Sequence, residues 1–124
     1  RMQGVTGEKL LILLEARLDN TVFRMGIART RRQARQFVAH RHIMVNDEVV
    51  DIPSYEMSPD DVVSVKPSSQ DLEVIQTNVE HRQRTFSWLE MDRQEMKGKF
   101  IDYPNREEIP ENIDEQLIVE LYSK

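Results

Sequence analysis

The stretch ARTRRQARQFVAHRHIMVN, residues 28–46, joins the pattern of an amphipathic helix to the pattern of a β-strand. Thr30 is a favourable helix N-cap, and Gln33 lies three residues further on, as in a capping box. The apolar residues that follow share one helical face: Ala34, Phe37 and Val38. We therefore predict a helix over residues 31–40. After this helix the apolar residues recur at every second position, which predicts a strand.

Positive charge is concentrated in and around this helix. Residues 17–41 contain seven arginines and one acidic residue, Asp19, which gives a local charge of +6. The whole chain of 124 residues has a net charge of −5, so the remaining residues carry −11. The overall acidity therefore hides a strongly basic segment, and this asymmetry points to an anionic partner.

The arginines of the helix are placed against the local rules of helix stability. Arg31 and Arg35 are four residues apart and repel each other by roughly a few tenths of a kcal/mol. Arg31 and Arg32 lie in the first turn, where the helix dipole disfavours cations by roughly 0.3–1 kcal/mol each. No acidic residue within the helix offsets these costs. A phosphate partner would reverse both of them, which favours a ligand-binding role.

Alternatives to a folded RNA partner remain open at this point. A charged helix face that is merely solvated is common. Single-stranded nucleic acid would need exposed aromatic side chains for base stacking, whereas Phe23 and Phe37 both fall on apolar faces. The pattern favours the backbone and shape of folded RNA, although charge alone does not exclude DNA. A membrane surface is disfavoured because the segment lacks lysine and an exposed aromatic edge.

The rest of the chain predicts an α+β fold, with helices first and a small antiparallel sheet of about five strands after them. Residues 7–26 are predicted to be helical, with a break at Asp19–Asn20. A turn at Asp47–Glu48 would pair Val45 with Val50 and Ile43 with Ile52. Five further elements are predicted: a strand at 62–65, a helix capped by Ser68 or Ser69, a strand at 98–103, a short helix from Pro110, and a last strand at 117–122.

The composition disfavours several classes of protein and site. The chain has no cysteine, which removes disulfides, thiolate metal sites and cysteine nucleophiles. No apolar run approaches the roughly 20 residues that span a bilayer, and the first stretch lacks a signal-peptide cleavage site. His40 and His42 could form a metal pair, but no third ligand is evident. We therefore predict a cytoplasmic chain with no catalytic residue, no metal and no cofactor.

Three stretches resemble a known family. They are LEARLDNTVFRMGIARTRRQARQFVAHRHIMVN at 14–46, VDIPSY at 50–55, and IPENIDEQLIVELYSK at 109–124. Together they are similar to the S-four family of small-subunit ribosomal proteins, and the resemblance extends over essentially the whole chain. It implies two helices that form an L-shaped RNA-binding motif beside the antiparallel sheet. It divides the chain into residues 1–16, a remnant of an N-terminal helical region; residues 17–95, the RNA-binding domain; and residues 96–124, a C-terminal segment with a short helix and a last strand that completes the sheet.

The resemblance also implies a function and its partners. The family implies a structural, non-enzymatic component that binds small-subunit ribosomal RNA early in assembly and, in some bacteria, represses its own messenger RNA. Neighbouring ribosomal proteins are the second class of partner, and the free chain is expected to be a monomer in the cytoplasm. The family's RNA-facing positions fall here on Arg29, Arg31, Arg32, Arg35, Gln36, His40, His42 and Asn46. The same basic patch is extended by Arg17, Arg24 and Arg41.

This chain departs from the family pattern in its acidic turns. Asp47 stands where glycine is usual, and Glu56, Asp60 and Asp61 surround a turn that is commonly basic. These departures leave two further hypotheses: an accessory RNA-binding module that acts outside the ribosome, or a divergent paralogue that contacts protein only.

Overall fold

The computed structural model describes residues 7–82 and 84–110, which form an α+β fold as predicted. Four helices and a five-stranded antiparallel sheet make up this part of the chain. The helices are α1 (Gly7–Glu15), α2 (Leu18–Arg24), α3 (Arg31–Ala39) and α4 (Glu73–Glu80). The strands are β1 (Ile43–Val45), β2 (Glu48–Val49), β3 (Val62–Val65), β4 (Leu89–Asp92) and β5 (Lys97–Phe100). Single turns of 3-10 helix occur at Pro67–Ser69 and Arg106–Glu108.

The sheet has the strand order β2-β1-β3-β5-β4, and all of its neighbouring strands are antiparallel. Its register aligns Val45 with Val63, Val63 with Gly98, and Gly98 with Met91. These positions share the face that packs on the helices, and a Cβ on Gly98 would lie 2.9 Å from the Met25 side chain. The alternate residues Glu90, Asp92, Lys97 and Lys99 therefore lie on the opposite face.

The helix predicted over residues 7–26 is broken, but at Ala16–Arg17 rather than at Asp19–Asn20. Two hydrogen bonds to the segment before β3 cause the break: Met57 N–H donates to the Ala16 carbonyl at 2.7 Å, and Leu18 N–H donates to the Tyr55 carbonyl at 2.8 Å. Arg17 is consequently extended and forms a β-bridge with Glu56. A partner 39 residues away in sequence determines this break, so the local pattern placed it wrongly.

Helices α2 and α3 end in the same way. After α2, Gly26 has φ +82, Gly26 N–H donates to the Phe23 carbonyl, and Ile27 N–H donates to the Val22 carbonyl. This is a Schellman motif with glycine in the left-handed position. After α3, Arg41 N–H donates to the Val38 carbonyl and His42 N–H donates to the Phe37 carbonyl, which is the same motif. Here the residue in the left-handed position is an arginine, Arg41, with φ +66.

The predicted β1–β2 hairpin is present, but its predicted register was wrong by two residues. Val45 pairs with Glu48 and Met44 with Val49, so the turn consists of Asn46 and Asp47. Both residues have positive φ, 52° and 70°, which is the signature of a type I′ turn. A shift of two keeps each side chain on its predicted face, because the strand period is two.

The other predictions have mixed outcomes. Strand β3 is confirmed at Val62–Val65, and a strand is present at Lys97–Phe100 within the region predicted at 98–103. Strand β4 was not predicted, and α4 begins only at Glu73, after a 3-10 turn. The predicted helix from Pro110 and strand at 117–122 fall outside the described residues. The domain limits stay a prediction.

Candidate nucleic-acid interface

The local sequence of α3 determines where its arginines lie. Thr30 accepts a hydrogen bond from Gln33 N–H at 3.0 Å and so acts as the predicted N-cap. The Gln33 side chain reaches one residue further back than in a capping box, because its Oε1 accepts from Arg29 N–H at 2.8 Å. The buried Asn78 of α4 also donates to this Oε1, at 3.0 Å. The start of α3 is therefore fixed by α4 as well as by its own cap.

The apolar face of α3 is buried, as predicted, and its opposite face is a ridge of polar side chains. Ala34, Phe37 and Val38 lie in the core. The exposed residues of the other side, which we call the arginine ridge, are Arg29, Arg32, Arg35, Gln36 and His40. Among the residues that the structure describes, no carboxylate forms an ion pair with the three ridge arginines.

Arg24 does not lie on the exposed patch where the sequence predicted it. Its side chain is 2% exposed and forms a bidentate ion pair with the buried Glu15, at 3.0 Å from Nε to Oε1 and 2.7 Å from Nη2 to Oε2. Glu15 also accepts a hydrogen bond from Asn20 Nδ2 at 2.5 Å. Arg24 therefore holds α1 and α2 together, and its charge is compensated inside the protein.

Arg31 is likewise offset by an acid, although the acid is not within its own helix. Its Nε donates to Asn20 Oδ1 at 2.6 Å, and its Nη2 lies 3.9 Å from Glu15 Oε2. Its guanidinium stacks over the Phe23 ring, 4.7 Å from the centroid. No acid within α3 offsets this arginine, as the sequence indicated, but a carboxylate from α1 does, which the sequence did not reveal.

Arg17 and Arg41 each have a carboxylate partner. Arg17 pairs with Asp19 through two hydrogen bonds of 3.1 and 3.0 Å. Arg41 pairs with Asp51 at 3.1 Å, but both side chains are about half exposed, at 60% and 45%. An exposed pair of this kind is weak, so Arg41 is available to a stronger anion next to the ridge.

His42 and Asn46 make structural contacts at the ends of β1. His42 Nδ1 lies 2.8 Å from Ser69 Oγ, and burial, followed by the positive charges of His40 and Lys66, lowers the pKa of His42. Asn46 accepts a hydrogen bond from Val62 N–H and donates to Asp61. RNA contact by either residue stays a prediction.

Sequence reasoning missed three residues that hold the site together: Glu15, Asn20 and Asn78. For Glu15 the sequence did carry a signal, because an acidic residue directly after the apolar run LLILL is a candidate for burial. In the folded chain Glu15 is 1% exposed. Asn20 and Asn78 gave no local signal. In residues 7–82 and 84–110 we find no group of three side chains that could hold a metal ion. No helix in this part of the chain is long and apolar enough to cross a bilayer.

Comparison with known proteins identifies the fold that this geometry belongs to. A family model described as "S4 domain" matches residues 16–63, which contain α2, α3, β1 and β2. The chain is 58% identical over its full length to the small ribosomal subunit protein uS4 of Cytophaga hutchinsonii, of which it covers 62%.

Two other relatives carry the same name. The identity is 53% to uS4 of Flavobacterium psychrophilum, over 98% of this chain and 61% of that protein. The identity to uS4 of a Thermoanaerobacter species is 52%, over 100% of this chain and 60% of that protein. The chain thus spans less than two thirds of the length of these relatives. Residues 16–63 thus match the S4 domain, and more than half of the aligned positions of the chain are identical to those of each of these uS4 proteins.

Proposed function

We propose that this chain is a structural component of the small ribosomal subunit that binds ribosomal RNA through the arginine ridge. The observation that carries the proposal is the set of Arg29, Arg32 and Arg35, which are exposed and have no carboxylate partner among the described residues. They lie on the segment that matches the S4 domain, and the relatives are named small ribosomal subunit proteins.

The proposed binding mode is contact with the phosphate backbone of folded RNA rather than stacking on bases. The aromatic residues near the ridge are not available for stacking, because Phe37 is 7% exposed and Phe23 is covered by the Arg31 guanidinium. Guanidinium groups in a row match the phosphates of a folded RNA, whose recognition depends on shape and backbone. Arg41 lies directly beyond the ridge and would be a fourth contact.

Salt dependence of RNA binding tests this proposal. About four phosphate contacts predict that log K against log salt concentration has a slope near −3 for a structured small-subunit RNA. Changing Arg29, Arg32 and Arg35 together to Gln should make the slope shallower by about 2–3 units, because three contacts are lost. Changing Lys97 and Lys99 to Gln is the control, since both lie on the opposite sheet face. A wild-type slope near zero, or equal losses in both variants, would contradict the proposal.

The acidic hairpin favours one alternative, a divergent paralogue that contacts protein only. Asp47 and Glu48 lie on the β1–β2 hairpin, and Asp51 follows it and pairs with Arg41, so these acids would repel phosphate there. The two functions differ in sedimentation. A ribosomal component should incorporate into particles reconstituted from small-subunit RNA and proteins, whereas the paralogue should stay at the top of the gradient.

We propose the finer roles on the resemblance to the S4 family. These are binding early in subunit assembly, repression of the chain's own messenger RNA, contact with neighbouring ribosomal proteins, a monomeric free state, a cytoplasmic location at the ribosome, and no enzymatic activity. Order-of-addition reconstitution tests the first role: leaving the chain out at the start should block binding of later proteins, and late addition should not rescue it.

A further inference from the structure

Two adjoining hollows lie beside the arginine ridge, between the α2–α3 loop and the C-terminal end of α4. The larger has a volume of about 510 Å³ and extends to Thr77 and His81 of this end of α4. The smaller has a volume of about 180 Å³ and extends to Arg84 and Phe86. Gly26, Ala28, Arg29 and Arg82 line both hollows. We call this pair of hollows the α4 cleft.

The lining of the α4 cleft is cationic in a protein that is acidic overall. Arg29, Arg82 and Arg84 contribute guanidinium groups, and His81 adds an imidazole. Neither hollow has an aspartate or glutamate among the described residues that line it. Like charges gathered around a concave surface repel each other more strongly than on an open surface, because less water separates them. An arrangement of this kind is favourable when an anion occupies the hollow.

Arg82 is the residue whose own bonding is incomplete. Its aliphatic stem packs directly on Gly26, where an added Cβ would lie 2.6 Å from the Arg82 Cγ and Cδ. Its Nε is buried and has no hydrogen-bond partner among residues 7–82 and 84–110. Burial and, after it, the positive charge of the nearby Arg93 lower the pKa of Arg82. A buried N–H without an acceptor costs roughly 1–3 kcal/mol, so the described part of the chain does not fully satisfy the Arg82 guanidinium.

The cleft is held open by residues with other structural bonds. Asn78 donates to the Ile27 carbonyl and to Gln33, both at 3.0 Å, and so fixes α4 against the loop. The Arg84 guanidinium lies over the Phe86 ring, 5.2 Å from its centroid. Arg29 belongs to the ridge and also lines both hollows, so the ridge and the cleft form one continuous cationic surface.

We infer that the α4 cleft is a second phosphate-binding site for RNA, centred on Arg82 and Arg84 and joined to the arginine ridge through Arg29. This inference rests on the proposed function and extends the RNA surface beyond α2 and α3 to the end of α4. The RNA backbone would pass over the α2–α3 loop, with phosphates on both sides of Arg29.

Removing the two cleft charges while keeping the packing tests this inference. Arg82→Met keeps the aliphatic stem on Gly26, and Arg84→Gln removes an exposed charge. With a structured small-subunit RNA, two cleft contacts in addition to the four proposed above would make the wild-type slope about −4 to −5. The double variant should lose about 1.4–1.8 units of this slope and bind about tenfold or more weakly at 0.1 M salt. The Lys97→Gln, Lys99→Gln variant removes the same charge from strand β5 and should keep the full slope.

A second measurement separates RNA from free phosphate and does not depend on the folding of a variant. In the wild-type chain, the NMR signal of the Arg82 Nε–H should shift on addition of the RNA, at concentrations where inorganic phosphate alone has a smaller effect. If Arg82→Met unfolds the chain, the Arg84→Gln single variant should still lose about 0.7–0.9 units of slope.

The outcomes distinguish this inference from the proposed function. An unchanged slope in the cleft variants, together with weakened binding in the ridge variant, would overturn the α4 cleft and leave the proposed function standing. An Arg82 signal that responds equally to inorganic phosphate and to RNA would also overturn the cleft as an RNA site. Absence of RNA binding by the wild-type chain would overturn both.

Discussion

At the scale of single residues, Glu15 is the centre of the polar contacts that join α1, α2 and α3. Its carboxylate is 1% exposed and binds Arg24 and Asn20, and it lies 3.9 Å from Arg31. A buried carboxylate is tolerated only when it is paired and hydrogen-bonded. The contacts of Glu15 therefore connect α1, α2 and the first turn of α3. They also explain why Arg24, although part of the basic segment, is buried.

Changing Glu15 to Gln should destabilise the fold strongly, by about 3–5 kcal/mol, because the Arg24 charge would remain buried without its partner. Urea denaturation followed by circular dichroism measures the change. The matched control is Asp51→Asn, which breaks the exposed pair with Arg41 and should cost no more than about 1 kcal/mol. Equal losses in the two variants would show that the Glu15 pair is no stronger than a surface pair.

His42 should make stability depend on pH in the weakly acidic range. A histidine in the unfolded chain titrates near 6.5, whereas burial, His40 and Lys66 lower the pKa of His42 in the folded chain. Above pH 6.5 His42 is neutral in both states. Below it the unfolded chain takes up the proton first, so the free energy of unfolding should fall until the lowered folded pKa is also passed.

Denaturation midpoints between about pH 7.5 and pH 5 measure this effect. His42→Gln should flatten the decline, and His81→Gln is the control because it removes an exposed histidine at the C-cap of α4. If His42→Gln keeps the full decline, the pH dependence arises from other groups.

At the scale of elements, the ends of α2 and α3 differ in one residue that bears on function. Both end in a Schellman motif, but α2 uses Gly26 in the left-handed position and α3 uses Arg41, with φ values of +82 and +66. A left-handed conformation costs a side chain with a Cβ roughly 1–2 kcal/mol, and glycine avoids that cost. Arginine at this position is therefore unfavourable for the helix end, and the phosphate contact proposed for Arg41 would offset that cost.

Changing Arg41 to Gly should separate these two effects. We expect the free energy of unfolding to rise by up to about 1 kcal/mol, because the backbone strain is removed and only an exposed ion pair is lost. RNA affinity should fall at the same time, with a loss of about 0.7–0.9 units of salt slope. Arg41→Ala is the matched control, since it removes the charge but keeps the Cβ, and it should weaken binding without stabilising the fold.

Elements that are determined by neighbouring residues in the sequence could be predicted from it. Features that depend on hydrogen bonds to distant segments could not. Helix α3 follows from the Thr30 cap and a clear apolar face, and β3 follows from its run of valines. The break before Leu18 depends on hydrogen bonds from residues 55–57, which no local pattern reveals. The hairpin register depends on a type I′ turn formed without glycine, so the turn was placed one residue too late.

At the scale of the whole molecule, the sequence predicted the uneven distribution of charge along the chain. It did not predict which arginine side chains are exposed and which are buried. A count of arginines identifies the basic segment, because charge is a property of the residue type. Which arginines face outward depends on acids from other elements, and the structure turns Arg24 inward to Glu15 of α1. The α4 cleft is formed by segments more than 40 residues apart, so its arginines appear unrelated in sequence.

The asymmetry predicts that RNA affinity follows the local charge of the ridge and not the net charge of the chain. Glu90 and Asp92 on β4 lie on the sheet face opposite the helices. Strand β4 is three strand spacings from β1, or about 14 Å. At 0.15 M salt the Debye length is about 8 Å, so these two charges are largely screened from an RNA bound at the ridge.

Changing Glu90 to Gln and Asp92 to Asn raises the net charge from −5 by two units. At 0.15 M salt we expect the RNA dissociation constant to stay within about twofold of the wild-type value, because the added charge lies beyond the Debye length. At 0.01 M salt the Debye length is about 30 Å, and the association rate should rise. Asp51→Asn removes one acid beside Arg41 and should strengthen binding at both salt concentrations. An equal gain from both variants at 0.15 M salt would show that the net charge, and not the ridge, determines affinity.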